Sequence, residues 1–199
     1  MKLGTKSLLL GAHAFFLHPF MVAWGWWHLW GAPRDPKLWM CFLLHDIGYL
    51  GLNEMDGVGS ENHVRLGAEI VRRLCGYRYA DECYRHSRLW CRLNGRTISR
   101  LCLADKMAFV LTPAWLYLPM AKASGELQEY MDRSREQKQL ASYSAEELRL
   151  IGSDRPGEWL RGLQMFTDRW VQVQIAGDPI VVAQSIGRTE NQPPKLAAG

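Results

Sequence analysis

The stretch CFLLHDIGYLG, Cys41–Gly51, sets a histidine and an aspartate side by side at the end of an apolar run. The apolar residues ahead of it recur at helical spacing, with Asp35 as N-cap and Pro36 at the first helical position, so a helix is expected to run to Gly48. Neighbours on a helix project about 100° apart, so one face cannot carry both His45 and Asp46. Near a fraying C-terminal turn, however, two adjacent side chains can straddle a pair of ions, the carboxylate bridging. On this reading Gly48 ends the helix so that solvent and substrate reach the pair.

Outward from this stretch, helical periodicity continues almost throughout, and WVQVQIAG near the C-terminus is the main strand-like alternation. The fold class is all-α. Helices are expected from about Leu3 to Leu17, from Pro19 to Gly31, and from Ser60 or Asn62 to Cys75, closed by Gly76. Another is expected from Tyr79 to Leu93, and one capped by Thr97 that ends before Pro113. Ser124 is read as the cap of the charge-dense GELQEYMDRSREQKQL, and Pro156 opens a last helix to about Val173. The glycine-rich YLGLNEMDGVGSEN is a loop long enough to have a task. Residues 1–122 are read as a helical core, 123–177 as a helical extension packed on it, and 178–199 as an extended or disordered tail.

Composition narrows the class. With 199 residues, 48% of them apolar, the chain is long enough for one well-buried core and short for two. A net charge of +4 without long basic runs suits a small anionic substrate and speaks against a nucleic acid polymer. The five cysteines lack CxxC spacing and fall in apolar helical patterns, which reads as buried free thiols and a cytoplasmic, reducing location. Ser7 to Pro33 carries no Asp, Glu, Lys or Arg, but His13, His18, Pro19 and His28 interrupt it. It is therefore read as two buried helices rather than a membrane span or signal segment, with the aromatics from Trp24 to Trp30 packing the core. A homo-oligomer is compatible with all of this.

Metal-capable residues recur along the helical frame: His18 at a helix start, His45 and Asp46 at a helix end, His63 at the next start, and His86 and Asp105 within helices. Imidazole and carboxylate together suit Fe, Mn, Co, Ni or Zn, whereas calcium takes oxygen ligands alone. His13 and His28 do not fit the pattern and are read as structural.

The arrangement resembles the HD-domain superfamily of metal-dependent phosphohydrolases, whose pattern is H...HD...D on an all-α core. The matching segments are HPFMVAWGW (His18), LLHDIGY (His45, Asp46) and LADKMAF (Asp105), across about residues 10 to 122. His63 in ENHVRLGAEIV and His86 in CYRHSRLW look like the additional histidines of the family's dinuclear branches. Those branches include phosphodiesterases, phosphohydrolases and mixed-valent di-iron oxygenases. The resemblance thus implies a six-ligand site for two divalent transition metal ions. It departs at Tyr49, three residues after the HD aspartate, where members that cleave phosphate esters often carry Lys, Arg or Glu. Tyr49 is read either as a hydrogen-bond donor to a phosphoryl oxygen or as a pocket wall.

Arg88 and Lys106 are candidates for holding an anionic substrate, Arg88 by its fork and Lys106 by point charge. Glu61 stands two residues before His63, placed to act as general acid or base, as a partner of that histidine, or as a simple helix N-terminal charge; Glu54 and Asp56 share its loop. The expected activity is metal-dependent hydrolysis of a phosphate ester or anhydride of a small molecule, a nucleotide among the candidates. A di-iron oxygenase using the same six ligands is the alternative, and a non-catalytic metal or ligand sensor is the third.

Overall fold

A computed structural model describes Gly11, residues 14–50, Leu52, and residues 63–136 and 143–177. Among these are ten α-helices, one short 3-10 turn and no strand. They are α1 (His18–Trp30), α2 (Pro36–Leu44), the 3-10 turn (Ile47–Tyr49), α3 (His63–Cys75), α4 (Tyr77–Tyr84) and α5 (Arg88–Leu93). Then follow α6 (Arg100–Leu111), α7 (Ala114–Ser124), α8 (Glu126–Glu136), α9 (Ala145–Ile151) and α10 (Pro156–Gly177). Most of the helix expected over 3–17, His13, the carboxylates Glu54, Asp56 and Glu61, and the tail from 178 lie outside the described residues.

Two helix crossings position everything that follows. Helix α1 packs along α6, and the approach is backbone to backbone at Gly25, where a Cβ would stand 2.3 Å from the Ala104 carbonyl oxygen. Helix α3 packs on α2 and α4, and Gly67 allows it, since a Cβ there would stand 2.0 Å from the Leu44 carbonyl oxygen. Around these crossings Val22, Trp26, Phe42, Val64, Val71 and Leu101 form the main apolar core. A second core of Tyr117, Met131, Ile151, Trp159 and Leu160 is built by α7 to α10, with α10 lying against α6 and α7.

Several boundaries differ from expectation. Asp35 caps α2 by accepting from the Lys37 N–H at 2.9 Å, but the α-helix stops at Leu44, and Gly48 lies in the 3-10 turn. Residues 79–93 are two helices, because the buried Arg85 guanidinium donates to Asp81, to the Thr97 carbonyl and hydroxyl oxygens, and to the Ile98 carbonyl. The Ser87 side chain then caps α5 by accepting from the Trp90 N–H. The Ser87 bond competes with the helical ladder, and the Arg85 carbonyl is drawn out of it by accepting from the Ser99 N–H. Thr97 is thereby engaged with Arg85, and Ser99 caps α6 instead. Ser124 closes α7 rather than opening α8; its hydroxyl donates to the Ala121 carbonyl and to Glu126, and Gly125 takes the left-handed conformation at φ 85°.

WVQVQIAG, despite its alternation, belongs to α10, which runs on to Gly177 rather than stopping near Val173, and Val171 packs with Leu103 and Met107. Helix α9 opens with a reciprocal capping box between Ser144 and Glu147. All five cysteines are free, four of them buried, as expected. The aromatic segment is only partly core: Trp26 packs against Phe42 and Trp30, whereas Trp24 and Trp27 are exposed on α1. Among the described residues no single helix is long and apolar enough to cross a membrane; the bent pair of α6 and α7 satisfies length and composition only together.

Candidate metal centre

Five of the six residues expected as ligands stand at helix ends, where a side chain can leave the helical face. His18 and His63 are the first residues of α1 and α3. His45 and Asp46 join α2 to the 3-10 turn, and His86 sits in the break between α4 and α5, not within a helix. Asp105 alone is interior, on α6, and reaches the cluster because α6 lies along α1. The backbone turns the same way beside both middle ligands: Asp46 has φ −100°, ψ 0°, and Arg85, just before His86, has φ −88°, ψ 9°. This bridge region is where side chains are redirected at many active sites.

The six side chains converge on the Asp46 carboxylate. Its Oδ2 lies 3.1 Å from His45 Nε2 and 3.3 Å from His18 Nε2, while its Oδ1 lies 3.2 Å from His86 Nε2. His18 Nε2 is also 3.2 Å from Asp105 Oδ1, and His63 Nε2 is 3.1 Å from His86 Nε2. The donors form two overlapping groups, His18, His45, Asp46 and Asp105 on one side, and Asp46, His63 and His86 on the other. Asp46 belongs to both and offers a different oxygen to each.

This donor set fits metal ions. The His45 Nδ1–H donates to the Cys41 and Phe42 carbonyls at 3.2 and 3.1 Å, and the His86 Nδ1–H donates to the Cys83 carbonyl. With Nδ1 protonated, the neutral form of each ring presents its Nε2 lone pair to the cluster, and the second hydrogen bond holds the ring in place. Lone pairs and carboxylate oxygens about 3.2 Å apart repel unless a cation stands between them. Ligand separations of roughly 3.0–3.4 Å are those of tetrahedral and octahedral sets with bonds of about 2.0–2.1 Å.

In the metal-free chain a proton takes part of that role. Burial opposes charge on His18, but hydrogen bonds and charge from Asp105 and Asp46 outweigh it and push the imidazole up to about 9. Burial would raise the Asp46 carboxyl, yet His45 and the bonds to His18, His45 and His86 hold it well below the usual range. Asp105 is likewise held low against its burial, chiefly by the charge of Lys106 and then by His18.

Close packing seals the cluster. A Cβ on Gly48 would stand 1.9 Å from the His63 carbonyl oxygen, so this glycine lets α3 dock against the HD turn. That contact, rather than an opening to solvent, is what Gly48 serves. The Tyr49 ring stacks on His63 with centroids 4.1 Å apart and planes at 11°, and it walls a cavity of about 370 Å³ that opens from His18 and Asp105. Lys106 and Arg88 line the same cavity. The Lys106 ammonium donates to Asp105 Oδ2 at 2.6 Å, and the exposed Arg88 guanidinium sits over the Trp170 ring at 5.2 Å. Glu61 lies outside the described residues, and His28 is exposed on α1, away from both donor groups.

The sequence reading missed Arg85, whose surface-like setting in CYRHSR hides a buried anchor for His86, and it missed every cavity residue of α7 to α10. Compared with known proteins, the chain matches no family model, no curated protein and no solved structure.

Proposed function

We propose that this chain is an HD-type metal-dependent phosphohydrolase acting on a phosphate ester of a small molecule. The observation that carries the reading is the split of the Asp46 carboxylate between two donor groups that open, through His18 and Asp105, onto a cavity bearing Lys106 and Arg88. Two ions held in this way would supply Lewis acidity and lower the pKa of a bound water.

The chain's own residues do the rest. Asp46 would serve both ions, with His18, His45 and Asp105 holding one and His63 and His86 the other. Lys106, tied to Asp105, and Arg88, steadied on Trp170, stand where they neutralise the non-reacting oxygens of a phosphoryl group as charge develops. Tyr49 keeps His63 oriented by stacking and closes one side of the cavity against water.

The test begins with metal analysis of protein purified without added metal. A panel of nucleotides and of phosphate monoesters and diesters follows, with Mn, Co and Ni. Phosphate release that Asp46→Asn abolishes is the expected result. Paired iron near stoichiometry, silence toward every phosphate substrate and oxygen uptake with an organic substrate would replace hydrolysis by oxygenation.

A further inference from the structure

The cavity extends past the metal centre into the C-terminal helices, and its lining is of two kinds. Beside Asp105 it carries Lys106, and Arg88, over the Trp170 ring and within electrostatic reach of both Lys106 and Tyr143, makes no ion pair among the described residues. Its far wall is aromatic, with Phe109, Tyr117, Tyr130, Tyr143, Trp159 and Phe166 contributed by α6, α7, α8, α10 and the segment before α9. At about 370 Å³ it is the size of a small-molecule pocket rather than a packing defect.

Some of the polar side chains of that wall are spent on the protein itself. The Ser134 hydroxyl donates to the Met131 carbonyl and accepts from the Trp159 indole N–H at 2.7 Å. The Thr112 hydroxyl donates to the Ala108 carbonyl at 2.7 Å, and Arg133 is paired with Glu129. The hydroxyls of the buried Tyr117 and of Tyr143 and Thr167, by contrast, make no hydrogen bond among the described residues. A ribose and base brought here would bury several donors and acceptors against a wall whose unbonded side-chain oxygens are these three hydroxyls, at a cost for each group left unpaired. A flat apolar group would fill the same space without that cost.

Building on the phosphohydrolase reading, we propose that the far cavity is the subsite for the ester's leaving group, and that this group is an aromatic or similarly flat apolar body with at most one or two polar substituents. Tyr117 is the specificity-determining contact for such a substituent. Under this assignment the preferred substrate class is the aryl or arylalkyl monophosphate, and nucleotides are poor ligands.

The test uses the full chain loaded with Mn and measures affinity by calorimetry for non-hydrolysable probes: methylphosphonate, benzylphosphonate, naphthylmethylphosphonate and the methylenephosphonate analogue of AMP. Affinity is expected to rise from methyl to benzyl to naphthylmethyl by at least about ten-fold overall, with the AMP analogue below naphthylmethyl, and binding should quench tryptophan fluorescence through Trp159 and Trp170. Thr167→Trp, which fills the cavity, should collapse the naphthylmethyl-to-methyl ratio toward one; the wild-type probe series stands by itself if that variant does not fold. Equal affinities across the series, or an AMP analogue tighter than naphthylmethylphosphonate, would overturn the subsite. Phosphate release with no preference for aryl esters would also overturn it while leaving hydrolysis standing. Graded probe binding without turnover of any phosphate ester would keep the far cavity as an aryl-binding site and overturn its assignment to a leaving group along with the hydrolase.

Discussion

The N-terminal helices and the C-terminal helices of this protein bury polar and apolar groups by opposite rules. In α1 to α6 a set of ionisable side chains is drawn into the interior and made tolerable by mutual contact, with His45 and Asp46 only 1% and 8% exposed. Backbones there approach within the space of a missing Cβ at Gly25, Gly48 and Gly67. In α7 to α10 the interior is aromatic and aliphatic, its buried carboxylates Glu126 and Glu147 stand apart, bonded by hydroxyls and by Arg169 rather than gathered into one cluster, and the packing leaves a cavity. The first region gathers ionisable groups around one carboxylate, and the second encloses a space. Changes in the first should therefore be read in metal content, and changes in the second in stability and ligand choice.

The strongest challenge to that division is Asp46→Asn. It keeps size and one acceptor oxygen but removes the charge shared by both donor groups, so one of two metals should be lost and turnover should fall at least about 100-fold. His63→Ala and His86→Ala should each also leave about one metal by elemental analysis. Two metals retained in both variants would place these histidines outside the coordination sphere.

Trp159→Ala probes the other half. The side chain is fully buried and its N–H is bonded to Ser134, so about 3–5 kcal/mol of stability should be lost in denaturant titration, while two metals remain bound. A loss of metal in step with stability would show that the two regions are one cooperative unit. Gly48→Ala should cost less stability, about 1–3 kcal/mol, yet change metal content, since the added Cβ pushes on the His63 carbonyl.

The pH dependence of the metal-free protein sharpens the comparison further. His18 is raised in the folded state, so its contribution is fully present below about 6.5 and is lost as pH rises through about 9. Asp46 and Asp105 are depressed, so theirs is present above about 3.9 and lost as pH falls toward their lowered folded values. Stability in the presence of a chelator should decline on both sides, and His18→Gln should flatten the alkaline limb. Below about pH 9 metal binding should release the His18 proton to the buffer. The smallest effect belongs to His28→Gln, exposed on α1, which should leave metal content at two and move stability by no more than about 0.5 kcal/mol.

Much of the centre was legible because its chemistry is written in residue type and spacing. An apolar helical run ending in His45-Asp46, a proline after His18, a late Asp105 and two intervening histidines identify the participants without coordinates. Helical periodicity likewise foretold an all-α chain. The errors cluster where long-range contacts override local preference. Residues 79–93 read as one helix because nothing local reveals that Arg85 will be bonded to residues 97 and 98. WVQVQIAG read as alternating because its partner surface lies elsewhere in the chain.

Sequence by itself determined the helical class and the ligand types, since periodicity and side-chain chemistry are local properties. Only tertiary structure decided that Asp46 would turn one oxygen to each donor group, that Gly48 would serve a close contact with His63, and that three C-terminal helices, α7, α8 and α10, would wall a cavity beside the centre. Those three outcomes depend on distances between segments tens of residues apart, and such distances are fixed by how whole helices pack.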